Sequence, residues 1–386
     1  MQNIQMVDLQ GQYQNIKNEI DAALQNVINR AAFINGVEVG LFAQELEQYL
    51  GINHVIPCAN GTDALQLALM ALDLPPGSEI IVPAFNYVAT AEVIALLGMV
   101  PRFVDVHPLL FTILPEQIEN AINKHTKAIM PVHLFGQCAH MEEILKIAQK
   151  HNLYVIEDTA QAIGARYTFM DGRTVAAGGM GIIGTTSFFP SKNLGCYGDG
   201  GAVFTNDTEL AARIKAIANH GQRKKYVYRY IGINSRLDTI QAALLRVKLK
   251  YLDKYTEARQ AAAAYYDAHL SKIEGLCIPN KISVSTHVYH QYCILLPEYV
   301  DRNALKEYLQ SVNIPTMVYY PGPLHLQEAY LVYGYKPGSL PVSEALCNHI
   351  LALPMHTELT EAQQDYITEH INIYVAQAKQ LEEKVI

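Results

Sequence analysis

HNLYVIEDTAQAIGA, His151 to Ala165, starts on an apolar run, closes it with two acids, Glu157 and Asp158, and then turns through small residues that carry Gln161. An unbroken apolar run ahead of the acids marks a strand covered on both faces. The preceding MEEILKIAQKH (141–151) has helical period. The same alternation recurs outward from this stretch. Candidate strands are VIPCA (55–59), EIIVPAF (79–85), PRFVDV (101–106), KAIMPVHLF (127–135), TTSFF (185–189) and GGAVFTN (200–206). Helical patterns lie between them at 62–72, 89–97 and 207–220. Strands alternating with helices imply an α/β domain built on a mostly parallel sheet.

Past Asp238 the character changes. A long helical stretch to about Leu270 leads into HQYCILLPEYV (290–300), a helix near 302–312, IPTMVYY (314–320) and a final helix near 361–383. The expected division is a large α/β domain over 1–250, with an N-terminal helical segment, and a smaller α+β domain over 251–386. The 386 residues suffice for both.

Composition narrows the function. Half the residues are apolar and 17% are charged, with a net charge of −8, which argues against a nucleic-acid groove. The start is polar, so no signal peptide is expected, and no uncharged apolar run reaches the ~18 residues of a spanning helix. Six scattered cysteines with no CxxC fit free thiols in a reducing cytoplasm. Fourteen histidines form no HExxH pattern, so no metal is expected. Gly179-Met-Gly181-Ile-Ile-Gly184 matches GxGxxG, but a glycine-rich loop precedes it and a strand follows. A dinucleotide fingerprint needs the opposite context.

The chemistry gathers around TSFFPSKNLGCYGDGG, 186–201. Lys192 is the single formal charge between Thr174 and Gly198. A lysine with its stem on apolar surface and its head in water is the ordinary case. A lysine in a dry pocket, with lowered pKa, can instead attack a carbonyl. Asp158 stands at a strand end, where open α/β sheets bind ligands, although capping the next helix is an equal alternative. In CANGTDALQLALM (58–70) a Gly-Thr turn opens a helix, and the N–H groups of Gly61, Thr62 and Asp63 point where an anion would sit. A cap by Asn60 or Thr62 is the plainer role. Ser187 adds a hydroxyl. Tyr87, with Phe85 as fallback, offers a ring face. An amine, an acid, a phosphate-type helix start and an aromatic platform together fit pyridoxal phosphate, in which an acid keeps the ring nitrogen protonated.

SFFPSKNLGCYGDGGAVFTND, VIEDTAQAIGA, NGTDAL, PAFNYVATAE, NHGQ, GINSRLDTIQAALL and YYPGPLHLQ, seven motifs placed along the chain in the family's order, resemble the DegT/StrS family of pyridoxal-phosphate-dependent nucleotide-sugar aminotransferases. The resemblance implies fold type I, a homodimer with shared active sites, and L-glutamate as donor. It implies that Lys192 bonds the cofactor, that Asp158 faces the ring nitrogen and that Gln161 lies near the ring hydroxyl. Gly61, Thr62 and Ser187 would hold the phosphate, Tyr87 would stack on the ring, and Asn234 would reach the partner's phosphate. His133 falls at a strand end beside the cofactor. The family often has threonine where this chain has Asn86. A dehydratase branch carries histidine at the lysine position, so Lys192 favours transamination. The closest resemblance is to enzymes that aminate C3 of a UDP-linked 3-oxo-2-acetamido-glucuronate, for surface polysaccharide or lipopolysaccharide. Amination at C4 is the runner-up, then dehydration, then a non-catalytic regulator. Arg229, Tyr319, Tyr320 and His325 are candidate sugar or carboxylate contacts.

Overall fold

Seven strands form one sheet: β1 (His54–Cys58), β2 (Glu79–Pro83), β3 (Val100–Val104), β4 (Thr126–Ile129), β5 (Tyr154–Asp158), β6 (Ile183–Ser187) and β7 (Gly201–Thr205). Their order is β1-β7-β6-β5-β4-β2-β3. The pairs from β6 through β5, β4 and β2 to β3 are parallel, and β7 runs antiparallel to both neighbours. The structure, a computed structural model, describes residues 4–384. None of its described helices is long and apolar enough to cross a membrane.

The sheet is covered on both faces, which explains the unbroken apolar strands. One face packs on the helices Gly61–Leu72 and Ala89–Leu96, with Leu65, Leu67, Ile80 and Val203 in that core. On the other, Ile144 and Ala148 of the helix Met141–His151 meet Ile81, Ile129 and Val155. The strand expected over 127–135 ends early. Pro131 has no N–H to give a ladder, and Phe135 turns the chain at a positive φ of 57°. The run still flanks β5, because Asp158 N donates to Pro131 O at 3.0 Å.

The expected long helix is two, Thr239–Leu249 and Leu252–Leu270. Beyond them Tyr292–Leu295 pairs antiparallel with Ile350–Leu353. IPTMVYY makes only the isolated bridge Met317–Ala352. The closing helix, Glu361–Glu382, starts on a capping box at Thr360. The start of the chain joins this C-terminal part: Ile4 lies in the same core as Tyr266 and Ile371.

Candidate active site

Asp158 closes β5, and beside it in register stands Thr185 of β6. Lys192 follows β6 in a turn closed by its own N–H on Phe189 O at 2.8 Å. As a residue Lys192 is only half-buried, yet its ammonium is crowded enough that burial, opposed by the charge of Asp158, lowers its pKa to about 8. Burial raises the pKa of Asp158, against the N–H of Ala160 and the charges of Lys192 and His133. Each group therefore stands within the other's field. Among the described residues they form no direct ion pair, and Asp158 Oδ1 accepts from Ala160 N at 2.9 Å.

The turn that opens the helix carries the side-chain cap expected as its plainer role. Asn60 is the N-cap of the helix Gly61–Leu72, and its Oδ1 accepts from Asp63 N at 2.8 Å. That leaves the N–H groups of Gly61 and Thr62 for another acceptor. Ser187 closes the other side: a Cβ on Gly61 would lie 2.7 Å from Ser187 Cβ. Ser187 Oγ accepts from Phe189 N at 3.2 Å, so its O–H remains free to donate. Two helix N–H groups, the dipole behind them and a hydroxyl suit a phosphate, and the tight approach leaves no room for a side chain at residue 61. A lysine amine and a buried carboxylate in mutual range complete the donor set for pyridoxal phosphate, and the residues fit it.

An aromatic floor adjoins these groups. Gln161 is locked, with Oε1 accepting from Phe135 N at 2.8 Å and Nε2 donating to the Tyr320 hydroxyl at 2.9 Å. The charge of Asp158 adds to burial in raising the pKa of Tyr320. The ring of Tyr87, 57% exposed, lies 6.4 Å from that of Tyr320. Phe85 is buried in a core with Phe111 and Phe135, so Tyr87 and not the fallback offers a free face. Asn86 is buried and donates to Thr90 Oγ1 at 2.8 Å.

Other candidates lie elsewhere. His325 is a correction: it is fully buried, with Nε2 3.1 Å from Glu344 Oε1 and its ring edge-on to Tyr335, so it presents no surface to a sugar. His133 is also fully buried and bonds Glu157, so it does not touch a ligand directly. Tyr319 is half-buried beside Tyr320. Arg229 and Asn234 are exposed in the single chain, Arg229 over the ring of Tyr230. Two features had no local signal in the sequence. Tyr320 meets Gln161 across 159 positions. His290, in the C-terminal part, is pushed far below the usual histidine range by burial first and the charge of Lys192 second.

The model of the DegT/DnrJ/EryC1/StrS aminotransferase family matches residues 14–372. The chain belongs to that family. This aminotransferase, like its family, depends on pyridoxal phosphate. It is 46% identical to a pleiotropic regulatory protein of Geobacillus stearothermophilus, over 96% of this chain and 98% of that one. It is 43% identical to the UDP-2-acetamido-2-deoxy-3-oxo-D-glucuronate aminotransferase of Pseudomonas aeruginosa, over 93% and 97%. Further relatives, 35–39% identical, are named as transaminases of dTDP-linked sugars and a GDP-perosamine synthase. Among solved structures, NtdA of Bacillus subtilis with its bound cofactor PMP superposes with a TM-score of 0.86 at 32% identity, over 94% of this chain and 82% of that one.

Proposed function

We propose that this aminotransferase moves the amino group of L-glutamate onto a keto nucleotide sugar, with C3 of UDP-2-acetamido-2-deoxy-3-oxo-glucuronate as the acceptor. The supporting observation is a lysine amine and a buried carboxylate that lie within each other's field, together with a phosphate-type helix start. The likeness to the Pseudomonas enzyme supports the acceptor. The dTDP and GDP sugars in other relatives' names make sugar and nucleotide the first things to test.

Bound there, pyridoxal phosphate supplies an aldehyde carbon for the amine and an electron sink for the bond that breaks. Lys192 is the residue that would hold the cofactor covalently, and its free amine would serve as the general base and acid that moves the substrate proton. Asp158 would keep the ring nitrogen protonated. Gly61, Thr62 and Ser187 would hold the phosphate, Tyr87 would cover the ring, and Gln161 with Tyr320 would order the hydroxyl edge. Arg229 and Tyr319 are assigned to the sugar nucleotide. Asn234 acts in trans, so the working unit is a homodimer with shared sites, and the product enters surface-polysaccharide synthesis in the cytoplasm.

Adding L-glutamate to the holoenzyme should shift its absorbance from the aldehyde to the amine form of the cofactor and release 2-oxoglutarate. UDP-linked 3-oxo sugar should then restore the aldehyde form, with ping-pong kinetics. A shift reversed only by a 4-keto sugar would move the reaction to C4. Ammonia release without 2-oxoglutarate would indicate dehydration. A protein that takes up no cofactor would be a regulator. Asp158→Asn should keep much of the cofactor and lower kcat by roughly 10²–10³, the usual scale for one preorganised charge contact.

A further inference from the structure

Glu157 is fully buried one residue before Asp158. Alternation along β5 turns their side chains to opposite faces. Four donors converge on the Glu157 carboxylate. Oε2 accepts from Gly178 N at 2.9 Å and faces His133 Nε2 at 2.9 Å. Oε1 accepts from Met180 N at 2.7 Å and from Gly181 N at 2.5 Å. The glycine run that imitates a dinucleotide fingerprint is thus a nest for a protein carboxylate. Its glycines are required: Gly178 has φ +90°, and a Cβ on Gly181 would lie 2.5 Å from Val155 O.

His133 ties this nest to the end of β5. Its Nδ1 accepts from Ala139 N at 3.2 Å, which puts the ring proton on Nε2, facing Glu157. Its own backbone N–H donates to Asp158 O at 3.0 Å, two residues beyond the Pro131 carbonyl that accepts from Asp158 N. One residue therefore grips Glu157 with its ring and Asp158 with its main chain. An amide at 157 cannot replace the carboxylate. In one orientation its NH₂ meets Gly178 N–H and His133 Nε2–H; in the other it meets the N–H groups of Met180 and Gly181. Moving the imidazole proton to Nδ1 would only set it against Ala139 N–H.

We propose that Glu157, through His133, is a positioning residue for transamination: it locks the end of β5 so that the Asp158 carboxylate meets the cofactor ring nitrogen. This rests on the role proposed for Asp158. The test compares Glu157→Gln, His133→Asn and Asp158→Asn as holoenzymes carrying pyridoxal phosphate labelled with ¹⁵N in the ring. The readouts are kcat, the KM for L-glutamate, and the ring ¹⁵N signal. Glu157→Gln should lower kcat about tenfold or more, leave KM within about twofold, and move the ring signal toward that of Asp158→Asn. His133→Asn keeps the acceptor for Ala139 N–H and loses only the bond to Glu157. It should show the same shift with a smaller loss, about threefold, and it decides the matter if Glu157→Gln does not fold. Wild-type kcat in either folded variant, or a loss of kcat with the wild-type ring signal, overturns the proposal while Asp158 keeps its role. An Asp158→Asn enzyme with wild-type rate and ring signal overturns the reading of Asp158 itself.

Discussion

Two lysines of this chain are drawn down to a pKa of about 8, and only one has a settled structural occupation. Lys248 is 1% exposed, donates to Gly195 O at 2.7 Å and lies over the ring of Tyr197. Lys192 makes no such bond among the described residues, and burial acts on it with only the charge of Asp158 in opposition. Lys192→Ala should therefore cut turnover by more than about 10³, the scale of a lost general acid–base. Its ionisation also bears on stability. A depressed lysine pKa means that between about 8 and 10.5 the unfolded chain binds the proton that the folded one has released. Wild-type stability then rises with pH through that window. In the apoprotein, Lys192→Met should be more stable than wild type below pH 8, by about 1–3 kcal/mol after allowance for partial exposure, with the gap closing as pH passes 10.5. Urea midpoints across that range measure it, and a gap independent of pH would remove burial as the cause.

Elements carry the site because strand ends and helix starts meet at one edge of the sheet. Gly61→Ala would push a methyl to 2.7 Å from Ser187 Cβ. It should weaken cofactor binding on the order of tenfold, read by titration of the apoprotein, and also lower the melting temperature, because Ser187 Cβ cannot swing aside. Gly201→Ala meets the backbone oxygen of Asn60 at 2.3 Å, which cannot swing aside, and should destabilise the whole fold. Elements whose signal is local were legible in the sequence: the helix 141–151, β5 with its terminal acid, and the turn at Asn60. Elements whose fate depends on partners far along the chain were not. The run 314–320 has strand composition but finds a single bridging partner at Ala352. His325 has the look of a surface contact, and only the packing of Glu344 and Tyr335 against it shows otherwise. The order of the chain gives no hint that Gln161 and Tyr320 meet.

At the scale of the molecule, the segment from Arg223 to Asn234 stands out. Tyr226 is 74% exposed, Ile231 is 89% exposed, and four cations lie among them at Arg223, Lys224, Lys225 and Arg229. An exposed apolar and basic hairpin beside Asn234 suits an interface that completes a neighbour's site. If sites are shared, inactive Lys192→Ala and Asn234→Ala protomers should complement each other. In a mixed dimer one site has both wild-type residues, so random reassociation should restore about a quarter of wild-type activity; no recovery would place Asn234 in its own subunit's site, and an Asn234→Ala protein active by itself would place it outside any. We retain the division near residue 250 as a proposal. It falls at the break between the two helices after Asp238, although Ile4 packs with the later part. All of this depends on which amine holds the cofactor. Borohydride treatment of the holoenzyme makes that bond permanent, and peptide mass spectrometry then finds the marked lysine. Lys192 alone should carry the cofactor mass. Its appearance on Lys248, or on no lysine, would contradict the assignment of the site.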